Sequence, residues 1–291
     1  MKISPQLSSF SNKELDQIRA QRSQQIKLVY FDIDGTLLDS NAELPASAAK
    51  QIARIQSKGI KTAIASGRAV FAAQSYIQQH SINYAGIFYT GAVLFDPANN
   101  QLLASYSLAF EDIQQIIQIA RQQKMHCELY TIDNYYIEAP TRYTEFHTHY
   151  LKQAPVVIPF SDELMRQGIY KIQLVVDENT ELEKLIAVQK QLPHLTFASG
   201  HGADRPELIF SSVVSAEADK NTGFDKLCKY HGLKPSEIMS IGDAGSDKVF
   251  LQAAGIGIAM GNASDDVKAC ADYVTYHVDD NGLANALELL L

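Results

Sequence analysis

The stretch Ile26-Lys27-Leu28-Val29-Tyr30-Phe31-Asp32-Ile33-Asp34-Gly35-Thr36 decides how the rest of the chain is read. Its first half is apolar, β-branched and aromatic, the composition of a buried strand. Side chains two apart on a strand point the same way, so Asp32 and Asp34 put two carboxylates on one side of the strand's end. Gly35 permits a sharp turn, and Thr36 adds a hydroxyl. Carboxylates so close repel each other, and oxygen-only ligands point to a hard cation such as Mg²⁺. An EF-hand loop also spaces acids by two, and Glu43 falls at its twelfth position counted from Asp32. Its sixth position needs Gly, however, and holds Leu37; a strand leads in where that motif requires an amphipathic helix.

Outward from this stretch, strand and helix patterns alternate. Apolar spacing suits a helix over 45–58, closed by Gly59. A strand over 60–65 then ends at Ser66-Gly67-Arg68, followed by a helical pattern through Gln79 and a strand over 85–89. Far downstream, 238–241 reads as a strand ending at Gly242-Asp243, with a helix over 248–254 and strands at 257–260 and 273–275. Repeated βα units imply an α/β fold, a Rossmann-like parallel sheet covered by helices on both faces. In such sheets ligands bind beyond the carboxyl ends of the strands. Asp32, Asp34, Ser66, Asp243 and Asn262 close those strands and gather at that edge.

Residues 93–203 have a different texture, rich in Gln and Tyr. Strand cues lie at 127–132, 135–137 and 169–176, and helical patterns at 110–123 and 180–191. This stretch reads as an inserted α+β domain. It leaves 27–92 and 204–291 as a discontinuous core domain and 1–26 as an N-terminal extension, an appendage in which Ser11-Asn12-Lys13-Glu14 forms a capping box for a short polar helix over 14–25.

The 291 residues suffice for one large domain or two ordinary ones, and 46% hydrophobic with 20% charged residues allows a sizeable core. A net charge of -8 argues against a nucleic-acid backbone or an anionic membrane as the main partner. A phosphorylated ligand would then need positive charge supplied locally. Cys127, Cys228 and Cys270 are far apart and odd in number, which fits a reducing compartment rather than a disulfide frame or zinc site. The apolar runs fall short of a membrane span and the first residues lack a secretory apolar core, so a cytoplasmic protein is expected. Oligomeric state is not set by the sequence.

Four motifs then occur in order: Asp32-Ile33-Asp34-Gly35-Thr36, Ser66-Gly67-Arg68, Lys220 within Asp219-Lys220-Asn221-Thr222-Gly223, and Gly242-Asp243-Ala244-Gly245-Ser246-Asp247. Singly, Asp243 or Ser66 would read as a helix cap and Lys220 as a solvated lysine. Jointly they fall on separate strands or loops at one predicted edge. With the run Ala259-Met260-Gly261-Asn262-Ala263, they make the chain resemble a haloacid dehalogenase superfamily phosphatase of the Cof-like branch, which carries a large α/β cap. The resemblance covers residues 27 to about 285 and is weakest in the cap.

The resemblance implies a Mg²⁺-dependent phosphatase acting on a small phosphorylated metabolite, with sugar phosphates the expected class. Asp32 would be the nucleophile, forming an aspartyl-phosphate, and Asp34 would protonate the leaving oxygen and later deprotonate water. The Asp32 carboxylate, the Asp34 backbone carbonyl and the Asp243 carboxylate would hold Mg²⁺, with Asp247 completing its surroundings or orienting Lys220. Ser66 and the backbone N–H groups of Gly35 and Gly67 would cradle phosphoryl oxygens, with Asn262 nearby. Lys220 would supply the positive charge. Arg68 either contacts substrate or pairs with an acid, and Glu207 would hold the loop that carries Lys220. A phosphomutase or sugar-phosphate phosphotransferase, or a non-catalytic phosphometabolite-binding protein, are the alternatives on the same scaffold.

Two departures from the family pattern stand out: Ser246 and Thr90 each replace a usual Asn. The leaving group would be recognised by the cap, for which Tyr135, Tyr136, Arg142, His147, His149 and His201 are the candidates. His147 and His149, two apart, would share one face if they lay on a strand, and even bind metal; without a third ligand they read as exposed polar residues.

Overall fold

Leu28, Val29, Tyr30 and Phe31 are all sealed from solvent and form the strand β1 (Leu28–Phe31), inside the larger of two sheets. Val29 and Phe31 enter one hydrophobic cluster, while Leu28 and Tyr30 enter another. Burial on both faces is why this strand reads as a continuous apolar run instead of an alternating one. The computed structural model describes residues 4–202, 205–218 and 220–291.

Around β1 lie α1 (Asn12–Gln21), α2 (Ala46–Ser57), β2 (Lys61–Ala65), α3 (Val70–His80), β3 (Tyr84–Phe88), β4 (Val93–Asp96) and β5 (Gln101–Ser105). The chain then passes through α4 (Phe110–Gln123), β6 (His126–Tyr130), β7 (Tyr135–Ile137), α5 (Thr144–Leu151), β8 (Val156–Val157), α6 (Asp162–Met165), β9 (Lys171–Asp177), α7 (Glu178–Gln191), β10 (Thr196–His201) and β11 (Leu208–Val214). It returns with α8 (Lys220–His231), β12 (Ile238–Gly242), α9 (Lys248–Ala253), β13 (Ile256–Ala259), α10 (Asp265–Lys268), β14 (Tyr273–Val274) and α11 (Gly282–Leu290).

The larger sheet has the order β14-β13-β12-β1-β2-β3-β4-β5. From β14 to β3 the strands pair in parallel. Helices α2, α3 and α11 cover one face and α8 with α9 the other, through Ile52, Ile77 and Leu287 on one side and Phe224 and Phe250 on the opposite one. The smaller sheet, β10-β11-β9-β6-β7-β8, is antiparallel except for its last pair. Its apolar face packs under α4 and α7 around Leu129, Ile172 and Leu174. This is the Rossmann-like α/β core with an inserted α+β cap that the sequence predicts.

Sheet membership shifts both expected edges of the insertion. Strands β4 and β5, expected to open it at 93, hydrogen-bond instead onto β3 as an antiparallel hairpin. Val93, Leu94 and Phe95 bury against the core, a demand that overrides the local change in composition. Strand β11, expected within 204–291, is held in the smaller sheet between β9 and β10. The extension is also no loose appendage. Its capping box is present, with Ser11 N–H donating to Glu14 Oε2 at 2.8 Å, but the helix stops at Gln21 and a 3₁₀ turn covers Ser23–Gln25. Leu7 and Leu15 are buried in the core, and Val274 N–H donates to the Pro5 carbonyl at 2.9 Å. Among the described residues, no helix is long and apolar enough to cross a membrane.

Close strand packing gives a direct check. A Cβ on Gly86 in β3 would sit 2.3 Å from the Ile64 carbonyl oxygen of β2, whereas one on Gly200 in β10 meets nothing within 4 Å. Gly86→Ala is expected to destabilise the protein by about 1–3 kcal/mol, as overpacked cores do. Gly200→Ala should change stability by less than about 0.5 kcal/mol. Chemical denaturation of the two variants measures the contrast.

Candidate active site

Three parallel strands end side by side and set the polar groups that follow them at one edge. The Asp32 N–H donates to the Ile241 carbonyl of β12 at 3.0 Å, and the Ser66 N–H to the Ile87 carbonyl of β3 at 2.9 Å. Strand pairing thus runs to the last residue before each functional side chain. Asp243 follows β12 directly, and the short 3₁₀ turn Gly245–Asp247 brings Asp247 back towards it. Asp32, Asp243 and Asp247 each offer a carboxylate oxygen, all within 4.8 Å of one another.

Neutral donors hold this acidic cluster in place. Thr36 Oγ1 donates to Asp243 Oδ1 at 2.9 Å and Asn262 Nδ2 to Asp243 Oδ2 at 3.0 Å. The same amide nitrogen reaches the Gly35 carbonyl at 2.8 Å, while Asn262 Oδ1 accepts from Val278 N–H at 3.0 Å. Asp247 Oδ2 accepts from the backbone N–H groups of Asp243 and Ala244 at 3.2 and 2.9 Å. Gly35 has a φ of +75°, and a Cβ there would fall 2.4 Å from Asp243 Oδ2, so only glycine fits this close approach. Burial, then the charge of Asp247, pushes the Asp243 carboxyl up, against the pull of Thr36 and Asn262. Three carboxylate oxygens, with no thiolate or imidazole among the set, fit a hard divalent ion such as Mg²⁺.

Asp34 turns away from that cluster. Both of its oxygens accept from Arg68, from Nε at 2.9 Å and from Nη2 at 2.6 Å. Arg68 is buried, whereas the Asp34 side chain is 39% exposed and faces open space. The Tyr150 ring of α5 lies over the guanidinium, 4.4 Å from Cζ to the ring centroid. Burial and the Asp34 charge push the Tyr150 phenol up. Of the two readings left open for Arg68, pairing with an acid is the one observed here.

The remaining expected residues are distributed unevenly. Ser66 is buried at the end of β2, and its Oγ accepts from the Arg68 N–H at 3.3 Å. A Cβ on Gly67 would lie 3.2 Å from Thr90 Oγ1, so Thr90 stands beside the turn as its position in the motif pattern implies. Thr90 has a φ of +57°, a strained conformation for a β-branched residue and one that Asn adopts more readily. Ser246 Oγ reaches Asp247 Oδ1 at 3.5 Å. Lys220 begins α8, but its side chain, like all of Asp219, lies outside the described residues.

Several cap candidates are engaged elsewhere. Arg142 pairs with Glu181 at 3.2 Å, His201 Nδ1 lies 2.7 Å from the Pro206 carbonyl, and Tyr136 packs on the far side of the smaller sheet. Glu207 pairs with Arg205 at 2.5 Å, and the Lys220 side chain it was expected to support lies outside the described residues. His147 and His149 lie on the helix α5, not on a strand; two helical positions diverge by about 200°. His147 is accordingly buried against Glu128 and His149 is exposed. Tyr135 is buried, its hydroxyl donating to the Gln153 carbonyl at 3.0 Å. Tyr150 and Lys171, which sequence reasoning passed over, are cap side chains on which the charges of Asp34 and Arg68 act.

Comparison with known proteins gives a consistent picture. The sequence model of the haloacid dehalogenase-like hydrolases matches residues 29–287. The phosphatase YwpJ of Bacillus subtilis is 27% identical over 292 residues, covering 91% of this chain and 100% of the relative. A haloacid dehalogenase-like hydrolase from Bacteroides thetaiotaomicron superposes with a TM-score of 0.82 at 25% identity, covering 91% of this chain and all of that one. The subclass IIB sugar phosphatase BT4131 superposes with a TM-score of 0.77 at 26% identity, over 90% of this chain and 98% of its own.

The acidic cluster predicts a stability response. A cation at about a hundred times its dissociation constant adds about 2.7 kcal/mol to the folded state. MgCl₂ is therefore expected to raise the unfolding temperature of the protein, and Asp243→Asn to abolish the rise. A thermal unfolding series that ignores Mg²⁺ in the unsubstituted protein would remove the metal assignment.

Proposed function

The chain belongs to the haloacid dehalogenase-like hydrolases and is a phosphatase, and from that premise we propose that it hydrolyses small phosphomonoesters, sugar phosphates foremost, by transfer of the phosphoryl group to Asp32 with Mg²⁺ as cofactor. One observation carries this reading: the carboxylates of Asp32, Asp243 and Asp247 converge within 4.8 Å at a strand edge, next to a fourth, Asp34, that stays out of the cluster. Similarity to a sugar phosphatase supports the substrate class. The three cysteines, all free, agree with a cytoplasmic setting.

The steps follow from the side chains. A phosphomonoester repels an attacking carboxylate, so charge around the phosphoryl group must be neutralised before Asp32 can approach. Asp32, Asp243, Asp247 and the Asp34 carbonyl would hold Mg²⁺, which would supply that neutralisation, and the Lys220 ammonium would add to it. Ser66 Oγ and the N–H groups of Gly35 and Gly67 bind phosphoryl oxygens. An Asp32 oxygen bonds to phosphorus as the bond to the leaving oxygen breaks, and Asp34 gives that oxygen its proton. Asp34 then takes a proton from water, whose oxygen attacks phosphorus, and the Asp32–phosphorus bond breaks to release inorganic phosphate. Because Arg68 engages both Asp34 oxygens, the fork must loosen each time Asp34 carries a proton. Asn262 acts by positioning, tying Asp243 to the Gly35 carbonyl.

The test is turnover of p-nitrophenyl phosphate with Mg²⁺, read as phosphate release. Asp32→Asn is expected to lower kcat by about 10⁴-fold or more. Asp34→Asn should slow turnover by about 10²–10⁴-fold while inorganic phosphate still binds with similar affinity. An intact, Mg²⁺-loaded protein that releases no phosphate from any ester sinks the proposal, and isomerised sugar phosphate without release redirects it to a mutase.

A further inference from the structure

Two buried cations beside Asp34 have hydrogen-bonding capacity that the mechanism leaves unused. Lys171 begins β9, where Ile172, Leu174 and Val176 fill the cap's own core while Lys171 and Gln173 point to the opposite face. Lys171 is only 4% exposed, and its Nζ sits 4.2 Å from the centroid of the Tyr130 ring. Among the described residues no hydrogen bond or ion pair reaches that ammonium. The adjacent buried acid, Glu128, makes its hydrogen bonds to other groups. Its Oε1 lies 2.8 Å from both His126 Nε2 and His147 Nδ1, and its Oε2 accepts from the Tyr130 hydroxyl at 2.7 Å.

Arg68 also has donor capacity to spare. Nε and Nη2 are spent on Asp34, but Nη1 is buried with no hydrogen-bond partner among the described residues. The two cations are neighbours through α3. Phe71, three residues after Arg68, stacks on the Tyr130 ring that flanks Lys171, with centroids 6.1 Å apart. Burial lowers the Lys171 ammonium to about 8, Glu128 and Asp34 pull it back up, and Arg68 pushes it down. Lys171 therefore registers the charges of the acid/base pair on the core as well as that of its own sheet.

We infer that Lys171 and Arg68 Nη1 form a subsite for a second negative charge on the leaving group, a carboxylate or a further phosphoryl group, so that the preferred substrates are anionic beyond the ester being cleaved. This rests on the phosphatase reading and deepens it. Unsatisfied buried donors are costly and regain that cost only when an acceptor fills the site. A site built this way discriminates strongly against an analogue lacking the group, because the analogue leaves the donors bare. Arg68 binds Asp34, the proposed proton donor to the leaving oxygen, and the Asp34 charge acts on Lys171, which puts the subsite on the leaving-group side rather than among the carboxylates of the metal cluster. The phosphoryl end is recognised by groups common to all esters, so this second charge is what the cap adds.

The experiment compares kcat/KM within matched pairs: 3-phosphoglycerate against glycerol 3-phosphate, and fructose 1,6-bisphosphate against fructose 6-phosphate. Unsubstituted protein is expected to favour the anionic member of at least one pair by tenfold or more, chiefly through KM, at about 1.4 kcal/mol per tenfold. The first pair reports a carboxylate and the second a phosphoryl group. Lys171→Met should bring the ratio towards one and Lys171→Arg should retain it. A ratio within one preparation is independent of the fraction of protein folded. Equal rates within both pairs, or a ratio that Lys171→Met leaves unchanged, overturns the inference. Loss of p-nitrophenyl phosphate hydrolysis in the unsubstituted protein would instead overturn the phosphatase reading itself.

Discussion

Mutual repulsion among carboxylates is the constraint around which this molecule is arranged. Asp32, Asp243 and Asp247 lie within 4.8 Å of one another in a largely buried setting, where each ionised group makes the next harder to ionise. Such a cluster survives only on a rigid frame. Parallel pairing of β1 with β12 fixes Asp32 against Asp243, and Asn262 ties the following loops together through Gly35. The absence of a side chain at Gly35 is as necessary as the carboxylates, since a Cβ there would displace Asp243.

The core was legible because its signals are local. A strand buried on both faces declares itself in four consecutive residues, and the polar residues that end such strands mark the edge where ligands bind. What was not legible depended on contacts between distant parts of the chain. Nothing near Arg68 in sequence says whether it meets a substrate or an acid; only the fold sets it against Asp34, 34 positions away. The hairpin of β4 and β5 resembled the insertion in composition and belongs to the core by hydrogen bonding. Helix α5 covers just eight residues, Thr144–Leu151, too short for its periodicity to stand out, so His147 and His149 were paired on an imagined strand. Lys171 did leave a trace, a lone charge within the apolar run 169–176, which a strand buried on both faces should not contain without reason.

The cap's inner face is organised by a different logic from the core's edge. At the edge, three carboxylates converge. On the cap, Glu128 is engaged by two imidazoles and a phenol, and Lys171 makes no hydrogen bond or ion pair among the described residues. Aromatic rings join the two regions: Phe71 from the core lies 6.1 Å from both Tyr130 and Tyr135 of the cap, whose own rings stack 5.4 Å apart.

Helix α5 joins events that would otherwise be independent. His147, anchored to Glu128, and Tyr150, lying over Arg68, are one helical turn apart on the same rigid segment. Any withdrawal of Tyr150 from the guanidinium therefore tugs on the anchor of the cap's buried carboxylate.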